Sequence, residues 1–199
     1  MIYLTLSTTL SHSNTTQKFT GITMINIIDN FLENEHYTRL IGEHLEYSKV
    51  HWFGRKAEPR NSLHELIIKT APFDYVTGAT AWYNIRPKDP KWHNDIDSYC
   101  TQNRKRYYPL KLPQYTVLYY VKSPESRGEL ELGTGDRIKA IENRCVSFPC
   151  NIPHRVREYK GNRVSIGIIW WFDVPVIYGS LGVEDIKTMP RVWEIEDRV

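Results

Sequence analysis

Cysteine is scarce in this sequence. Only 3 are present, Cys100, Cys145 and Cys150, too few for a disulfide framework, and the C-x4-C spacing of the last two has no second pair to complete a zinc signature. No run of about 18 apolar residues occurs, so no membrane span is expected. Charge of one sign is not in large excess. The net charge of +3 neither implies nor excludes a nucleic-acid or acidic partner. Internal repeats and low-complexity tracts are also missing, which excludes repeat arrays and biased disordered tails. Few cysteines and no span together set the expectation of a cytoplasmic chain with reduced thiols.

What is present describes an ordinary folded domain. The 199 residues are 41% hydrophobic and 25% charged, enough to bury one sizeable core. Aromatic residues reach 13%, with 13 tyrosines and 6 tryptophans, which suits half-buried strands. The first 23 residues are nearly uncharged, and 7–9 and 11–16 are polar. They lack a basic stretch followed by a long apolar one, so they make a poor signal peptide. They are expected to be a loosely held extension ahead of a single domain over 24–199.

Helical signals come first and strand signals later. Residues 24–28 read as a short strand. Residues 31–48 carry Phe31, Tyr37, Leu40, Ile41 and Leu45 near helical period, with Asp29 or Asn30 as cap. A second helix is expected over 61–70, capped by Asn61 or Ser62. From residue 75 onward the pattern is β. Strands are expected at 75–77, 80–85, 114–122, 128–132, 137–141, 144–148, 155–159 and 164–172, with Gly161-Asn162 as a hairpin turn between the last two. The basic, aromatic stretch 98–113 has no clear period and reads as a loop, either a solvated surface or a substrate lid. Many short strands with close turns point to a sandwich or jelly roll, with the helices on one outer face.

The chemistry centres on Trp92-His93-Asn94-Asp95. His93 and Asp95 stand two apart, so on an extended segment both reach the same side. By itself H-x-D is a weak signal. His154 is the other histidine of the strand-rich half, and two histidines with one carboxylate form the facial set that holds non-haem Fe(II) with open positions. Arg163 follows nine residues after His154 and opens an otherwise apolar run, Val164 to Trp171. A guanidinium entering such a strand needs an anion, and its planar fork suits a carboxylate. A distant glutamate or a bound dicarboxylate would each meet that need. Ser165 shares the face of Arg163. Tyr83 and Tyr120 read either as core aromatics or as further phenol donors. Trp82, Trp92 and Trp170 are candidates for walling the site from water.

This set, His93-x-Asp95, His154 and Arg163-x-Ser165, resembles the 2-oxoglutarate- and Fe(II)-dependent oxygenases. The stretches Gly128 to Leu132, Asn143 to Pro149 and His154 to Val156 look most like the prolyl 4-hydroxylase branch, and the likeness covers about 75–173. The resemblance implies a double-stranded β-helix, the jelly-roll and cupin-like architecture, with flanking N-terminal helices. It implies Fe(II) held by His93, Asp95 and His154. It implies 2-oxoglutarate held by Arg163 with Ser165, Tyr83 and Tyr120, O2 as oxidant, and ascorbate as a supporting reductant. The implied activity is hydroxylation of a C–H bond, of a prolyl residue in a peptide or protein above all, with succinate and CO2 released. Free amino acids and other small molecules remain open as substrates, as does the oligomeric state. Two rivals stand beside this. One is a nucleic-acid oxidative demethylase of the same superfamily, which usually carries a second arginine where this chain has Ile169. The other is a non-catalytic, cupin-like metal-binding module.

Overall fold

The computed structural model describes residues 25–43, 49–72, 76–85, 91–95, 115–172 and 187–190. The extension expected at 1–23 and the basic loop at 98–113 lie outside the described residues. In chain order the elements are β1 (Asn26–Ile28), α1 (Asn34–Gly42), β2 (Lys49–Gly54), α2 (Ser62–Lys69), β3 (Gly78–Asn84), β4 (Tyr115–Lys122), β5 (Ser126–Arg127), β6 (Leu130–Leu132), β7 (Arg137–Ile138), β8 (Cys145–Pro149), β9 (His154–Val156), β10 (Tyr159–Lys160), β11 (Val164–Trp171) and β12 (Lys187–Pro190).

The two helices form for different local reasons. In α2 the Asn61 side chain accepts the amide of His64 at 2.9 Å, and Leu63, Leu66 and Ile67 recur at helical spacing on the buried face. In α1 the expected caps are used elsewhere. Asp29 takes the guanidinium of Arg144, and Asn30 occupies a left-handed turn with φ 51°. The helix therefore begins after Glu33, without a side-chain cap. It is held by packing instead. Leu40 is buried, and the Tyr37 hydroxyl donates to the carbonyl of Val121 at 2.8 Å.

A seven-stranded antiparallel sheet, in the order β1-β8-β4-β11-β3-β2-β12, forms one wall. The other wall is the three-stranded sheet β7-β6-β9, and β10 pairs separately with β5. Between β4 and β11 the chain passes back and forth between the two walls, which is the double-stranded β-helix. One face of the large sheet carries Ala79, Ala81, Val117, Tyr119, Ile166 and Ile168 against Leu63, Leu66 and Ile67 of α2. The opposite, inner face carries Leu118, Tyr120, Val146 and Phe148 against Leu130, Leu132 and Ile138 of the small sheet. The architecture is thus mainly β with helices on one outer face, as the sequence pattern predicts.

Strands β4, β8 and β11 fall within a residue of their expected places. Other features differ, and the described part of the strand expected at 75–77, residues 76 and 77, is not a strand. Strand β2 has no counterpart in the expected set, yet it lies between β3 and β12 in the large sheet. The strand expected over 155–159 is two short ones, β9 and β10, with different partners. The Gly161-Asn162 hairpin does not form. Gly161 does turn the chain, with φ +79°, but β10 pairs with β5 while β11 inserts between β3 and β4. The turn carries the chain from the β5–β10 pair into the large sheet.

Candidate metal centre

Backbone pairing brings His93 to His154. The amide of His93 donates to the carbonyl of His154 at 3.1 Å, and the reverse bond measures 2.9 Å. Residues directly opposite in an antiparallel pair send their side chains to the same side. The two imidazoles accordingly lie 4.4 Å apart between ring centres. Asp95, two residues on, reaches the same place, with its Oδ2 3.6 Å from Nε2 of His154. One ligand atom from each of the three residues lies within 4.8 Å of the others.

Hydrogen bonds prepare these donors for a cation. Nδ1 of His93 contacts the carbonyl of Lys91 at 2.9 Å, and Nδ1 of His154 contacts the carbonyl of Ile152 at 3.2 Å. A carbonyl only accepts, so each Nδ1 is the donor, and each Nε2 is the nitrogen turned toward the other two side chains of the set. The Thr116 hydroxyl, from β4, donates to Oδ2 of Asp95 at 2.6 Å. His154 is buried, and the ring of Phe148 stands edge-on 5.0 Å away. Burial is the main reason why its pKa is lowered, with His93 adding to the shift and Asp95 opposing it. A neutral imidazole is the form that binds metal. Two imidazoles and a carboxylate, each fixed from behind, fit a divalent cation of the Fe(II) type.

The second half of the site lies further along β4. Arg163 is 3% exposed. Its guanidinium carbon sits 5.1 Å from the ring centre of Tyr120 and 5.8 Å from that of Tyr159. Nη1 donates to the Ser165 hydroxyl at 2.9 Å, whereas Nε and Nη2 have no hydrogen-bond partner among the described residues. Those two groups form the side-on edge of the guanidinium, the edge that grips a carboxylate with two parallel bonds. The buried hydroxyls of Tyr120 and Tyr159 also lack partners there. Burial pushes the pKa of Tyr120 up, against the pull of Arg163, so its hydroxyl keeps its proton for donation. A buried cation left with open donors is costly unless an anion meets it. On the inner face Thr116, Leu118 and Tyr120 follow one another along β4, so the strand positions that touch the two halves are four residues apart, about 13 Å along the backbone at ~3.3 Å per residue.

The structure gathers His93, Asp95 and His154 in one place and Arg163, Ser165 and Tyr120 in the other. It does not bring Tyr83 to either. In the paired register Tyr83 stands beside Ile166 and Tyr119, a row of the helix-facing side, where it packs in the core with Leu63 and Leu66. The row that faces the site is Asn84, Ser165 and Tyr120. Trp170 is displaced for the same reason. It belongs to the helix-facing core, with its Nε1 donating to Thr70 at 3.2 Å, and does not wall the site. Trp82 does face inward. Its indole lies across Gly167, where an added Cβ would sit 2.7 Å from the ring.

Two site residues escape the sequence pattern. Thr116 was detectable in principle, because it shares strand parity with Tyr120. Tyr159 was not, because its place depends on the pairing of β10 with β5.

No family model and no curated protein matches the chain. Solved structures do. A viral collagen prolyl hydroxylase from Paramecium bursaria Chlorella virus-1, in its 2-oxoglutarate complex, aligns at TM-score 0.51 and 17% identity over 73% of this chain and 94% of that one. A truncated form of the same viral enzyme aligns at TM-score 0.53 and 17% identity, over 80% and 99%. A prolyl-4-hydroxylase from Pseudomonas putida aligns at TM-score 0.53 and 12% identity, over 75% and 92%. The fold of this chain is that of the prolyl hydroxylase-like 2-oxoglutarate oxygenases.

Proposed function

We propose that the protein is an Fe(II)- and 2-oxoglutarate-dependent dioxygenase that hydroxylates a C–H bond, with a prolyl residue of a peptide or protein as the substrate. One observation carries this reading. A two-histidine, one-carboxylate set shares an inner face with a buried arginine whose carboxylate-gripping edge is open. Neither half alone is specific. Together they match a co-substrate that needs a metal at one end and a cation at the other. The prolyl substrate rests on the sequence resemblance and on the likeness to two prolyl hydroxylases. We take the chain as one domain over 24–199 with its catalytic core at about 75–173. Among the described residues no helix is long and apolar enough to cross a membrane.

In this reading His93, Asp95 and His154 hold Fe(II), which when bound supplies the oxidation of substrate by O2 with loss of CO2 from 2-oxoglutarate and release of succinate. The chain itself positions and excludes. Nε and Nη2 of Arg163 bind the far carboxylate of 2-oxoglutarate side-on, and Tyr120 donates to the same group. Ser165 engages Nη1 and so turns the open edge of the guanidinium toward the ligand. Thr116 holds one oxygen of Asp95 and orients the carboxylate toward the metal. Leu118 and Phe148 keep the inner face dry, which strengthens these contacts. Ile169 stands where a nucleic-acid demethylase would place its second arginine, and it is buried at 6% exposure on that same face.

The test is succinate formation from 2-oxoglutarate with added Fe(II), screened against proline-containing peptides, free amino acids and oligonucleotides. Turnover stimulated by a peptide, with oxygen incorporated at proline, is expected. Bound metal and bound 2-oxoglutarate with no turnover, coupled or uncoupled, would establish a metal-binding module instead.

A further inference from the structure

Among the described residues, the segment 91–95, which carries two of the three side chains of the metal set, belongs to no strand and meets the small sheet through one backbone bridge, His93–His154. His93 is itself exposed. On the inner side, Thr116 steadies Asp95. On the outer side the neighbours of the two bridged histidines meet. Trp92, preceding His93, lies beneath Arg155, following His154, with the guanidinium carbon 4.9 Å from the ring centre. Trp92 remains 46% exposed, so burial alone does not account for its place.

Arg155 is in turn fixed by Glu131, its cross-strand partner in β6. Nε and Nη2 of Arg155 lie 2.8 and 2.7 Å from Oε2 of that carboxylate. Only 7% of the Glu131 side chain is exposed, and its other oxygen meets Nε of Arg137 at 3.0 Å and Nε of Arg157 at 3.6 Å. A carboxylate bound by three guanidiniums is a rigid anchor, because moving it would leave a charge without partners.

We propose that Glu131 and Arg155 are positioning residues for the metal centre, acting through Trp92 to hold the limb that bears His93 and Asp95. This rests on the reading that His93, Asp95 and His154 bind a divalent metal. The clamp doubles the bridge from the outer face. Without it, the contacts that hold the limb among the described residues are the bridge and the Thr116 hydrogen bond. The Arg163 end is attached through β10 and β11 and does not depend on the clamp.

The test measures Mn(II) binding to the full-length chain by the loss of free-ion electron paramagnetic resonance signal, with thermal melting as the control for folding. Arg155→Ala and Trp92→Ala are each expected to weaken Mn(II) binding by about tenfold or more, the usual effect of losing an outer support of a metal ligand. Trp92→Phe, which keeps a ring face for the guanidinium, is expected to restore most of the affinity. The double variant Trp92→Ala, Arg155→Ala is expected to bind no more weakly than the worse single, because both changes break one contact. The 2-oxoglutarate affinity at saturating Mn(II) should stay within about twofold of wild type. Folded variants with unchanged Mn(II) affinity, or losses that add in the double variant, overturn the clamp and leave the proposed function standing. Wild-type protein that takes up no Mn(II) overturns both.

Discussion

On one face of the seven-stranded sheet, Tyr83 and Tyr119 pack against the helices; on the other, Tyr120 stands beside Arg163. All three tyrosines are buried, at 2% exposure or less. Tyr119 donates to Asn143 at 2.8 Å, so the outer face ties its polar tip into a turn of the scaffold. On the inner face, by contrast, Tyr120, Tyr159 and Arg163 keep buried polar groups that no described residue meets. Burial therefore does not separate core from site here. What marks the site is that two open tyrosine hydroxyls and two open nitrogens gather at one buried guanidinium, whereas on the helix-facing side Tyr119 is satisfied and the open Ser147 hydroxyl belongs to a neutral side chain.

The comparison breaks most completely at the metal end. Replacing His154 or Asp95 with alanine removes one donor of three, and metal binding by titration is expected to be lost, with the helix-facing core and the melting curve largely retained. A variant that kept near-wild-type metal affinity would show that the inner face does not hold the ion through this set. The reciprocal break is on the outer face. Leu66→Ala deletes a fully buried side chain against the sheet, which is expected to cost about 2–5 kcal/mol of stability. Below the melting transition its metal and 2-oxoglutarate affinities should match wild type. A loss of ligand affinity in still-folded protein would mean that the two faces are coupled.

Arg163 sharpens the contrast, because the two properties should move apart. Arg163→Met is expected to weaken 2-oxoglutarate binding by about 10- to 100-fold, the effect of removing charge-assisted hydrogen bonds worth ~1.5–3 kcal/mol. The same change takes a buried, incompletely paired cation out of the ligand-free protein. Its melting temperature should therefore hold or rise. Calorimetry with 2-oxoglutarate and a thermal melt of the ligand-free protein read the two effects separately. A fall in both would make Arg163 a structural residue.

Much of this division was legible in the sequence. The H-x-D pair, His154 and the arginine opening an apolar run are unusual residue types for their places, and the structure brings them onto one inner face. Asn61 also reads correctly as a cap, since nothing else claims its side chain. The misreadings have physical causes. Asp29 and Asn30 have the right chemistry for a cap but are held by Arg144 and by a left-handed turn. The turn at Gly161 is real, but a local signal does not say which strands a turn joins. Strand β3 is buried almost throughout on both faces, so it lacks the polar alternation that would have assigned Tyr83 to the helix side and Trp82 to the site. The outer clamp of Glu131 and Arg155 was invisible for a related reason: a cross-strand pair is set by register.

The smallest effect discriminates best between the two faces, because it uses one chemical change on both. Tyr120→Phe removes a hydroxyl beside the open edge of Arg163. It should weaken 2-oxoglutarate binding by about fivefold, near the ~1 kcal/mol of a single hydrogen bond. Stability should change little, because that hydroxyl has no protein partner among the described residues to lose. Tyr83→Phe makes the same deletion one row away in register and on the opposite face. There the affinity for 2-oxoglutarate should stay at the wild-type value, whatever happens to the melting temperature. Equal losses of affinity in the two variants would return Tyr83 to the site and would mean that strand parity is the wrong criterion. A loss confined to Tyr120→Phe would place the co-substrate on the inner face by a change of one oxygen atom.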